Sequence, residues 1–529
     1  MAIRGDRFST VQGAKASTEK GAKSQYYPLS PPENTIYNPS RKPTYDPLDL
    51  PMQTQQSYWD TIIQLEKAKT KKDETDITRK TGVSRLPLCA ASPAFVHPTF
   101  FPLNPFHLFY ENCMAFFWDL WTTLSHPSEV VHIPAVTARK IGTLIPPAMA
   151  TLPSSFCGPV RDVFLKRNSQ YKVYEWMAIL HWYLVPIGIE VSLNPSMLRN
   201  FSRFVQAIEF SMTVAPRGED DLRYLRGLIA TFLEDYKRLY IGNEASKIIR
   251  ARLCIFQLIH IPIHIQWYGS IRLGSQETVE RTIGEMGHKI RSKKEPFSNL
   301  ANLIYQRELV KILSIYYPEI IPKPPASSTT NEPKLVQQNR IAWTKVLPRS
   351  LVEDLPKLSA YLGIKLPNPD VTLSRWGKLK LTNGDVLQSR LSEERSIKST
   401  GRRSIWLEAL NSTETSSGLG NSNSEAGNAN LCFGEVHPFY KAEGTSLLRT
   451  LVVFTPFTEM ESMFGVVRGA LAKHVQVMDV SRIQAIVGIW AGVNTGKIYI
   501  LRKHPGLEYL TLDERGLDEE QVVDEDDEE

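Results

Sequence analysis

The chain has 529 residues, of which 42% are hydrophobic, 10% aromatic and 22% charged. These values are typical of a soluble globular protein of roughly two to four domains. The longest apolar stretch, residues 176–189, is too short and too polar to cross a bilayer, and the five widely spaced cysteines exclude a disulfide framework and a cysteine-based zinc site.

Charge is distributed unevenly along the chain. Residues 513–529 carry eleven acids and one arginine, so this tail contributes −10 and the rest of the chain +16 to the formal total of +6. A basic body with an acidic tail favours a polyanionic partner for which the tail competes. The alternative is a tail that only aids solubility.

The N-terminal segment, residues 1–55, is rich in Pro, Ser, Tyr and Lys and shows no helical or strand period. Because proline fixes φ and biases the preceding residue away from helix, we expect this segment to be extended or disordered. Its first fifteen residues lack an apolar core, so the sequence predicts no secretory signal and a protein that is not secreted.

Residues 56–320 read as a helical domain. A short amphipathic stripe begins the segment, and apolar residues recur at spacings of three and four from about residue 104 onwards. Candidate N-caps and terminating Pro or Gly residues mark successive helices. We expect an all-α unit here.

The C-terminal part changes character. Residues 321–430 read as a linker with a short mixed segment, and residues 431–512 as strand-like runs separated by turns. Residues 513–529 form an acidic, disordered tail. The predicted fold class is therefore mainly α, with a helical domain, a small C-terminal β-barrel-like module, and a disordered N-terminus, linker and tail.

Two histidines in HIPIH, His260 and His264, stand at i and i+4, the spacing used by zinc-binding helices. The glutamate of the H-E-x-x-H motif is missing, and Pro262 lies between the two histidines. A zinc enzyme built on this pair is one hypothesis, and two core histidines with satisfied ring nitrogens are the alternative.

The segment 275–303 predicts a helix with a packing face and a basic end. Cations at this end suit contacts with phosphate groups, although cations at a helix C-terminus are also favoured by the helix dipole alone. The candidate DNA-binding residues here are Arg281, Lys289, Arg291, Lys293 and Lys294. A second pair, His107 and Glu111, shares one face of the helix predicted over 104–121, as surface contacts often do.

Three segments in this order resemble a known family. They are YYPLSPP (26–32) with YDPLDLP (45–51), FPLNPFHLFYENCMAFFWDLW (101–121), and LIHIPIHI (258–265) with ETVERTIGEMGHKIRSKKEPFSNLANL (277–303). Together they are similar to the C-terminal part of fungal CACTA-type, or Enhancer/Suppressor-mutator type, transposases. A looser similarity over 431–505 matches a small β module that closes many of these proteins.

The resemblance implies an RNase H-like core with an α-helical insertion, in which three acids hold two divalent ions for DNA strand cleavage and transfer. Mg²⁺ is therefore expected only for a full-length family member, and no cofactor for this chain. Two of the acids are expected upstream of the segment given. Glu280 is the candidate third acid, Glu111 is its rival, and Arg281 would contact phosphate or orient the acid.

The segment departs from the family pattern at Asn104, which stands where the pattern has aspartate, at Pro105 and Phe106, and at Val279, which replaces the methionine before Glu280. Because two of the three acids are expected upstream of this segment, we expect an inactive, transposon-derived protein whose partners are DNA and other transposase copies, with no membrane or small-molecule cofactor. The resemblance implies a nuclear location. Without the resemblance, we expect a cytoplasmic protein. The alternative function is a retained, non-catalytic nuclear protein that binds DNA or chromatin.

Overall fold

The computed structural model of the chain describes residues 6–19, 22–25, 27–39, 41–168, 171–290, 294–320, 333–339, 349–396, 402–411, 431–445 and 447–504. Within the predicted linker and mixed segment at 321–430, residues 321–332, 340–348, 397–401 and 412–430 lie outside these residues, as does the predicted acidic tail at 513–529. None of the helices in the described ranges is long and apolar enough to cross a membrane.

The N-terminal segment runs over the helical body. Its described residues include the two-residue strands β1 (Ala14–Lys15) and β2 (Ile36–Tyr37), which pair antiparallel. Its apolar side chains Phe8, Val11 and Tyr45 are nevertheless buried. Burial of these side chains holds the extended chain against the helices, since removal of apolar area from water is favourable without regular structure.

Two amphipathic helices follow, α1 (Gln55–Glu66) and α2 (Lys71–Thr81). The α1 helix begins with a capping box, in which the Thr54 hydroxyl accepts from the Ser57 amide at 3.1 Å and the Ser57 hydroxyl accepts from the Thr54 amide at 3.1 Å. The α2 helix ends at Gly82, whose φ of 82° is accessible to glycine without the cost of a Cβ.

The helical body consists of helices α3 to α13 with intervening π-helical segments. The α-helices are α3 (Ala115–Asp119), α4 (Ala135–Ala148), α5 (Val163–Lys166), α6 (Val173–Ala178), α7 (Leu184–Glu190), α8 (Pro195–Met212), α9 (Glu219–Tyr236), α10 (Leu253–Gln257), α11 (Ile261–Tyr268), α12 (Glu277–Lys289) and α13 (Pro296–Tyr316). The π-helical segments are Phe106–Met114, Leu120–Leu124, Ile179–Tyr183 and Lys237–Ile241.

Aromatic side chains fill the centre of this body. Phe117 stacks on Trp121 at a ring-centroid distance of 5.2 Å, and Phe204 stacks on Phe232 at 5.6 Å. Aromatic pairs in such arrangements add stability beyond the area that they bury. By contrast, α13 has no buried residue.

A ten-stranded antiparallel sheet makes up the C-terminal half, with two helices beside it. The strands are β3 (Lys334–Asn339), β4 (Val371–Lys380), β5 (Val386–Gln388), β6 (Trp406–Leu410), β7 (Leu431–Gly444), β8 (Leu447–Met463), β9 (Val466–Leu471), β10 (Gln476–Asp479), β11 (Ile483–Ala491) and β12 (Ile498–Arg502). The helices are α14 (Arg349–Leu362) and α15 (Arg390–Ser396). The order is β10-β8-β9-β12-β11-β6-β7-β4-β3, with β5 paired to β4 and β7 paired to β8.

The predicted fold class, a mainly α remnant of an RNase H-like core with a small barrel-like module, is wrong. About 48% of the structure is helical and about 19% is strand, and ten of the described strands form one large sheet. Four of these strands come from residues 334–410, where the alternation of apolar and polar residues is broken. In β4, for example, Arg375 occupies a position in the same two-residue register as the buried Val371 and Leu373.

A buried carboxylate joins the helical body to the sheet. Glu190, the last residue of α7, is 2% exposed and accepts hydrogen bonds from the Asn494 amide at 2.7 Å, the Thr495 amide at 3.1 Å and the Tyr499 hydroxyl at 2.8 Å. A Cβ at Gly492 would lie 2.5 Å from Glu190 Oε1, so only glycine admits this approach. We call Glu190 with Asn494, Thr495 and Tyr499 the Glu190 junction.

Candidate functional site

The start of the π-helical segment Phe106–Met114 lies beside the start of α12, although the two are far apart in sequence. The Asn104 side-chain oxygen accepts from the Gln276 amide at 3.3 Å, and its nitrogen donates to Gln276 Oε1 at 3.1 Å. Because a backbone amide can only donate, this pair of contacts sets the orientation of the Asn104 amide. Asn104 therefore ties the two helix starts together.

His107 lies between the two candidate acids. Its Nε2 is 3.4 Å from Glu111 Oε2 and 3.8 Å from Glu280 Oε1. The Asn104 side-chain nitrogen contacts His107 Nδ1, so Nδ1 accepts and the Nε2 proton faces the carboxylates. We call Asn104, His107, Glu111 and Glu280 the His107 cluster.

The His107 cluster is open to solvent. The side chains of Glu111 and Glu280 are 54% and 51% exposed, and that of His107 is 33% exposed. A π-helical segment carries two of the four residues, and such segments are often found at functional sites. The arrangement therefore presents one imidazole donor and two carboxylates that an external ligand can reach.

The two candidate acids are alternatives in the sequence, yet they share one imidazole in the structure. Among the described residues, no group of three or more His, Cys, Asp or Glu side chains is arranged to hold a metal ion. Which of Glu111 and Glu280 would act in catalysis thus stays a prediction.

The histidines of HIPIH have separate partners. His260 Nε2 lies 3.3 Å from Asp6 Oδ2, and both side chains are buried. His264 Nδ1 accepts from the Leu103 amide at 3.3 Å. Burial, together with the charges of His260 and Arg7, lowers the pKa of His264 to about 3, so this ring is neutral.

The pairing of Asp6 with His260 also explains how the N-terminal segment is fixed. The Phe8 ring packs against both histidine rings, at centroid distances of 5.3 Å to His260 and 4.6 Å to His264. Burial would raise the pKa of Asp6, but the hydrogen bond from His260 and its charge outweigh burial and lower it. Burial of both rings favours the core interpretation, but one ring nitrogen is not satisfied, because His264 Nε2 is buried and has no hydrogen-bond partner among the described residues.

The basic end of α12 is only partly described. Lys289, the last residue of α12, and Lys294 are exposed. Arg291 and Lys293 lie outside the described residues, as does the side chain of Arg281.

Sequence reasoning missed two partners of the predicted residues. No pattern singles out Gln276, the partner of Asn104, because a contact across 172 residues leaves no local periodicity. Asp6 was missed for the same reason, since its partner His260 is 254 residues away. Covariation between such positions is the signal that would reveal them.

Two of the three segments that carry the family resemblance thus meet in space. Leu103 and His107 of the segment 101–121 contact His264 and Glu280 of the segments 258–265 and 277–303. Comparisons of the chain with protein-family models, with curated proteins and with solved structures found no match.

Proposed function

We propose that this chain is a transposon-derived protein, related to the C-terminal part of CACTA-type transposases, that binds DNA without cutting it. The observation that supports this proposal is the His107 cluster, in which motif residues 173 positions apart, His107 and Glu280, lie 3.8 Å from each other. Residues that share a motif set are expected to meet if they serve one site. A nuclear location and other transposase copies as partners belong to the same proposal.

The neutral side chain of Asn104 supports the part of the proposal that excludes cleavage. Two-metal cleavage needs several carboxylates around the ions, because the ions are held mainly by oxygen charge. The Asn104 amide is neutral, and its two polar atoms are already engaged with Gln276 and His107. We therefore expect Mg²⁺ to be bound by a full-length family member and not by this chain.

DNA binding is supported by charge. The chain outside residues 513–529 sums to +16, and the exposed Lys289 and Lys294 lie at the C-terminal end of α12. Lysine and arginine side chains gain affinity for DNA by releasing counterions from the phosphates. Such contacts position a protein on DNA but do not read the base sequence.

Replacing Lys289, Arg291, Lys293 and Lys294 together by alanine should weaken DNA binding about 10- to 100-fold at moderate salt, alike for all sequences. The dependence of log affinity on log salt should become shallower by about 0.9 for each phosphate that the variant no longer neutralises. Fluorescence anisotropy with two unrelated labelled duplexes, each over a salt series, measures both quantities.

The matched control replaces Lys71, Lys72, Arg79 and Lys80 by alanine, which removes four exposed cations from α2. This variant should bind DNA within about twofold of the unchanged chain if the basic end of α12 is the interface. Equal losses in both variants would show only a diffuse charge effect. Binding that does not depend on salt would contradict the proposal.

No strand cleavage is expected when the chain is incubated with Mg²⁺ or Mn²⁺ and a labelled duplex. Gel analysis of the products should show the same background for the unchanged chain, for the chain in chelator and for Glu280→Gln. Metal-dependent cleavage that Glu280→Gln or Glu111→Gln removes would contradict the proposal, because an acid of the His107 cluster would then be catalytic.

The alternative function, a retained nuclear protein that binds DNA or chromatin, is favoured by the Glu190 junction. A retained protein must fold on its own, and the junction satisfies a buried carboxylate of the helical body with donors from the sheet.

A further inference from the structure

A cavity of about 300 Å³ lies on the sheet beside α14 and α15. Its charged and titratable lining residues are Glu353, Asp354, Lys357, Arg375, Arg390 and His437. They come from α14, β4, α15 and β7, so the polar side chains converge from four elements. Concave sites with a few convergent polar groups are the usual form of small-ligand sites.

A β-bulge places His437 in this cavity. In the pairing of β7 with β8, Val436 lies opposite Phe454 and Phe439 lies opposite Val452, so His437 and Pro438 together face one residue, Val453. A bulge of this kind re-aims a side chain and is common beside functional sites. His437 Nε2 is held by the Thr455 hydroxyl at 2.7 Å.

Three cations and two acids line the cavity. Lys357 and Arg375 line it from α14 and β4, and Arg390 enters from α15, where it is 3.1 Å from Glu394 and 3.7 Å from Glu435. Burial and the charges of Arg390 and Lys357 lower the pKa of His437, so its imidazole is neutral in the empty cavity.

Two buried acids lie beside these cations, Asp354 in the cavity wall and Glu435 next to Arg390. Asp354 is 8% exposed and accepts from the Tyr440 hydroxyl at 2.7 Å. Burial raises the pKa of Asp354, against the lowering effect of Tyr440, Arg375 and Lys357. When an anion binds in the cavity, protonation of Asp354 therefore removes the unfavourable interaction between the two negative charges.

We propose that this cavity binds a tetrahedral oxyanion, the phosphate group of a small molecule or of a phosphorylated side chain. Three cations from three elements converge on the cavity, where Arg390 is shared with Glu394 and Glu435. Guanidinium groups donate pairs of hydrogen bonds to phosphate oxygens. The volume lies at the lower end of the range for small-ligand sites, which suits a phosphate with few attached atoms. The proposal does not depend on DNA binding.

Binding is coupled to proton uptake. An anion beside His437 favours the imidazolium, so the pKa of His437 rises on binding and affinity increases as pH falls. The charged or titratable groups that face this ring from the neighbouring elements are Glu353, Asp354, Lys357, Arg375, Arg390, Glu435 and Tyr440. Asp354, with its raised pKa, takes up protons in the same direction.

The experiment titrates the full chain with sulfate, which keeps its charge over the range in which histidine titrates. The His437 imidazole signals, assigned by comparison with His437→Gln, are followed by NMR. Sulfate should raise the pKa of His437 and bind about tenfold more tightly near about pH 6 than near about pH 8. A His437 signal that does not respond to sulfate would overturn the proposal.

Two variants test the cation set. Arg375→Gln and Lys357→Gln should each lower sulfate affinity about tenfold or more. Lys357 is half-buried near the end of α14, so its variant should fold, as circular dichroism checks, even if Arg375→Gln does not. The matched control is Arg449→Gln, which removes an exposed arginine of β8, and should leave affinity unchanged. Equal affinities in Lys357→Gln and in the control would overturn the proposal.

The source of the oxyanion is resolved with two further probes, inorganic phosphate and a short phosphoserine peptide. A peptide that binds more tightly than inorganic phosphate, in competition with sulfate, supports a phosphorylated side chain. Equal affinities support a small phosphate compound. Failure of both to displace sulfate would contradict a phosphate site.

Discussion

Glu190→Ala should lower the free energy of unfolding by about 3 kcal/mol, since the buried Tyr499 hydroxyl loses its acceptor, at about 1–3 kcal/mol, and three partly buried donors lose theirs at a smaller cost. The donors are the amides of Asn494 and Thr495 and the hydroxyl groups of Thr495 and Tyr499. Burial would raise the pKa of Glu190, but hydrogen bonds from Thr495, Asn494 and Tyr499 outweigh burial and lower it. The carboxylate is thus the form that the junction stabilises.

Urea unfolding followed by tryptophan fluorescence measures this loss as a lower midpoint. The matched control, Glu234→Ala, removes an exposed acid from α9 and should change stability by less than about 0.5 kcal/mol. Glu190→Gln should lie between the two, because the amide keeps one acceptor oxygen. A Glu190→Ala variant as stable as Glu234→Ala would show that the junction is not formed in solution.

Arg250→Met should cost about 3–5 kcal/mol, the usual penalty for breaking a buried ion pair from one side. Arg250 is buried and donates to both carboxylate oxygens of Glu129, at 2.5 Å and 2.9 Å. It also donates to the carbonyls of Tyr240 at 2.9 Å and Leu124 at 2.7 Å. Met fills the volume but leaves the carboxylate and both carbonyls without these donors.

The same pair predicts a dependence on pH. The hydrogen bond from Arg250 is the main cause that lowers the pKa of Glu129 to about 2 from its ordinary value of 4.5. A group whose pKa is lowered by folding stabilises the protein above its ordinary value and loses that contribution as pH falls towards about 2. This pKa shift of Glu129 corresponds to a contribution of about 3 kcal/mol to the free energy of unfolding.

Unfolding midpoints over this pH range should therefore fall more steeply for the unchanged chain than for Arg250→Met. The control is the double variant Glu129→Gln with Arg250→Met, which leaves no buried charge and should be more stable than Arg250→Met alone. Parallel pH profiles for the unchanged chain and Arg250→Met would contradict the assigned pairing.

Local patterns in the sequence anticipate the helices better than the sheet. The amphipathic stripe near Trp59 and the apolar spacing beyond residue 104 predict helices, and the structure has helices in both places. Hydrophobic periodicity over several helical turns is a strong indication of a helix. In the sheet, β6 is buried over four of its five residues and so shows no alternation, and in β4 an arginine interrupts it. Strands of this kind are recognised only by their neighbours, which lie far away in sequence.

The candidate site is predictable residue by residue but not as an arrangement. Glu111 and Glu280 compete for one role in the sequence, while their common contact with His107 depends on how α12 packs beside the segment 106–114. That packing is set by contacts such as the one between Asn104 and Gln276, which no local pattern encodes. The cavity beside His437 is not predictable either, since its bulge arises from strand register.

The Glu190 junction also imposes an order on synthesis. Glu190 and its donor Tyr499 are 309 residues apart, and at ribosomal rates of about 5–20 residues per second the interval between them is roughly 15–60 s. Until Tyr499 leaves the ribosome, the carboxylate and the helical face around it have no sheet to cover them. We therefore expect the nascent helical body to need chaperones during this interval, and a product that ends before β12 to be degraded faster than the full chain.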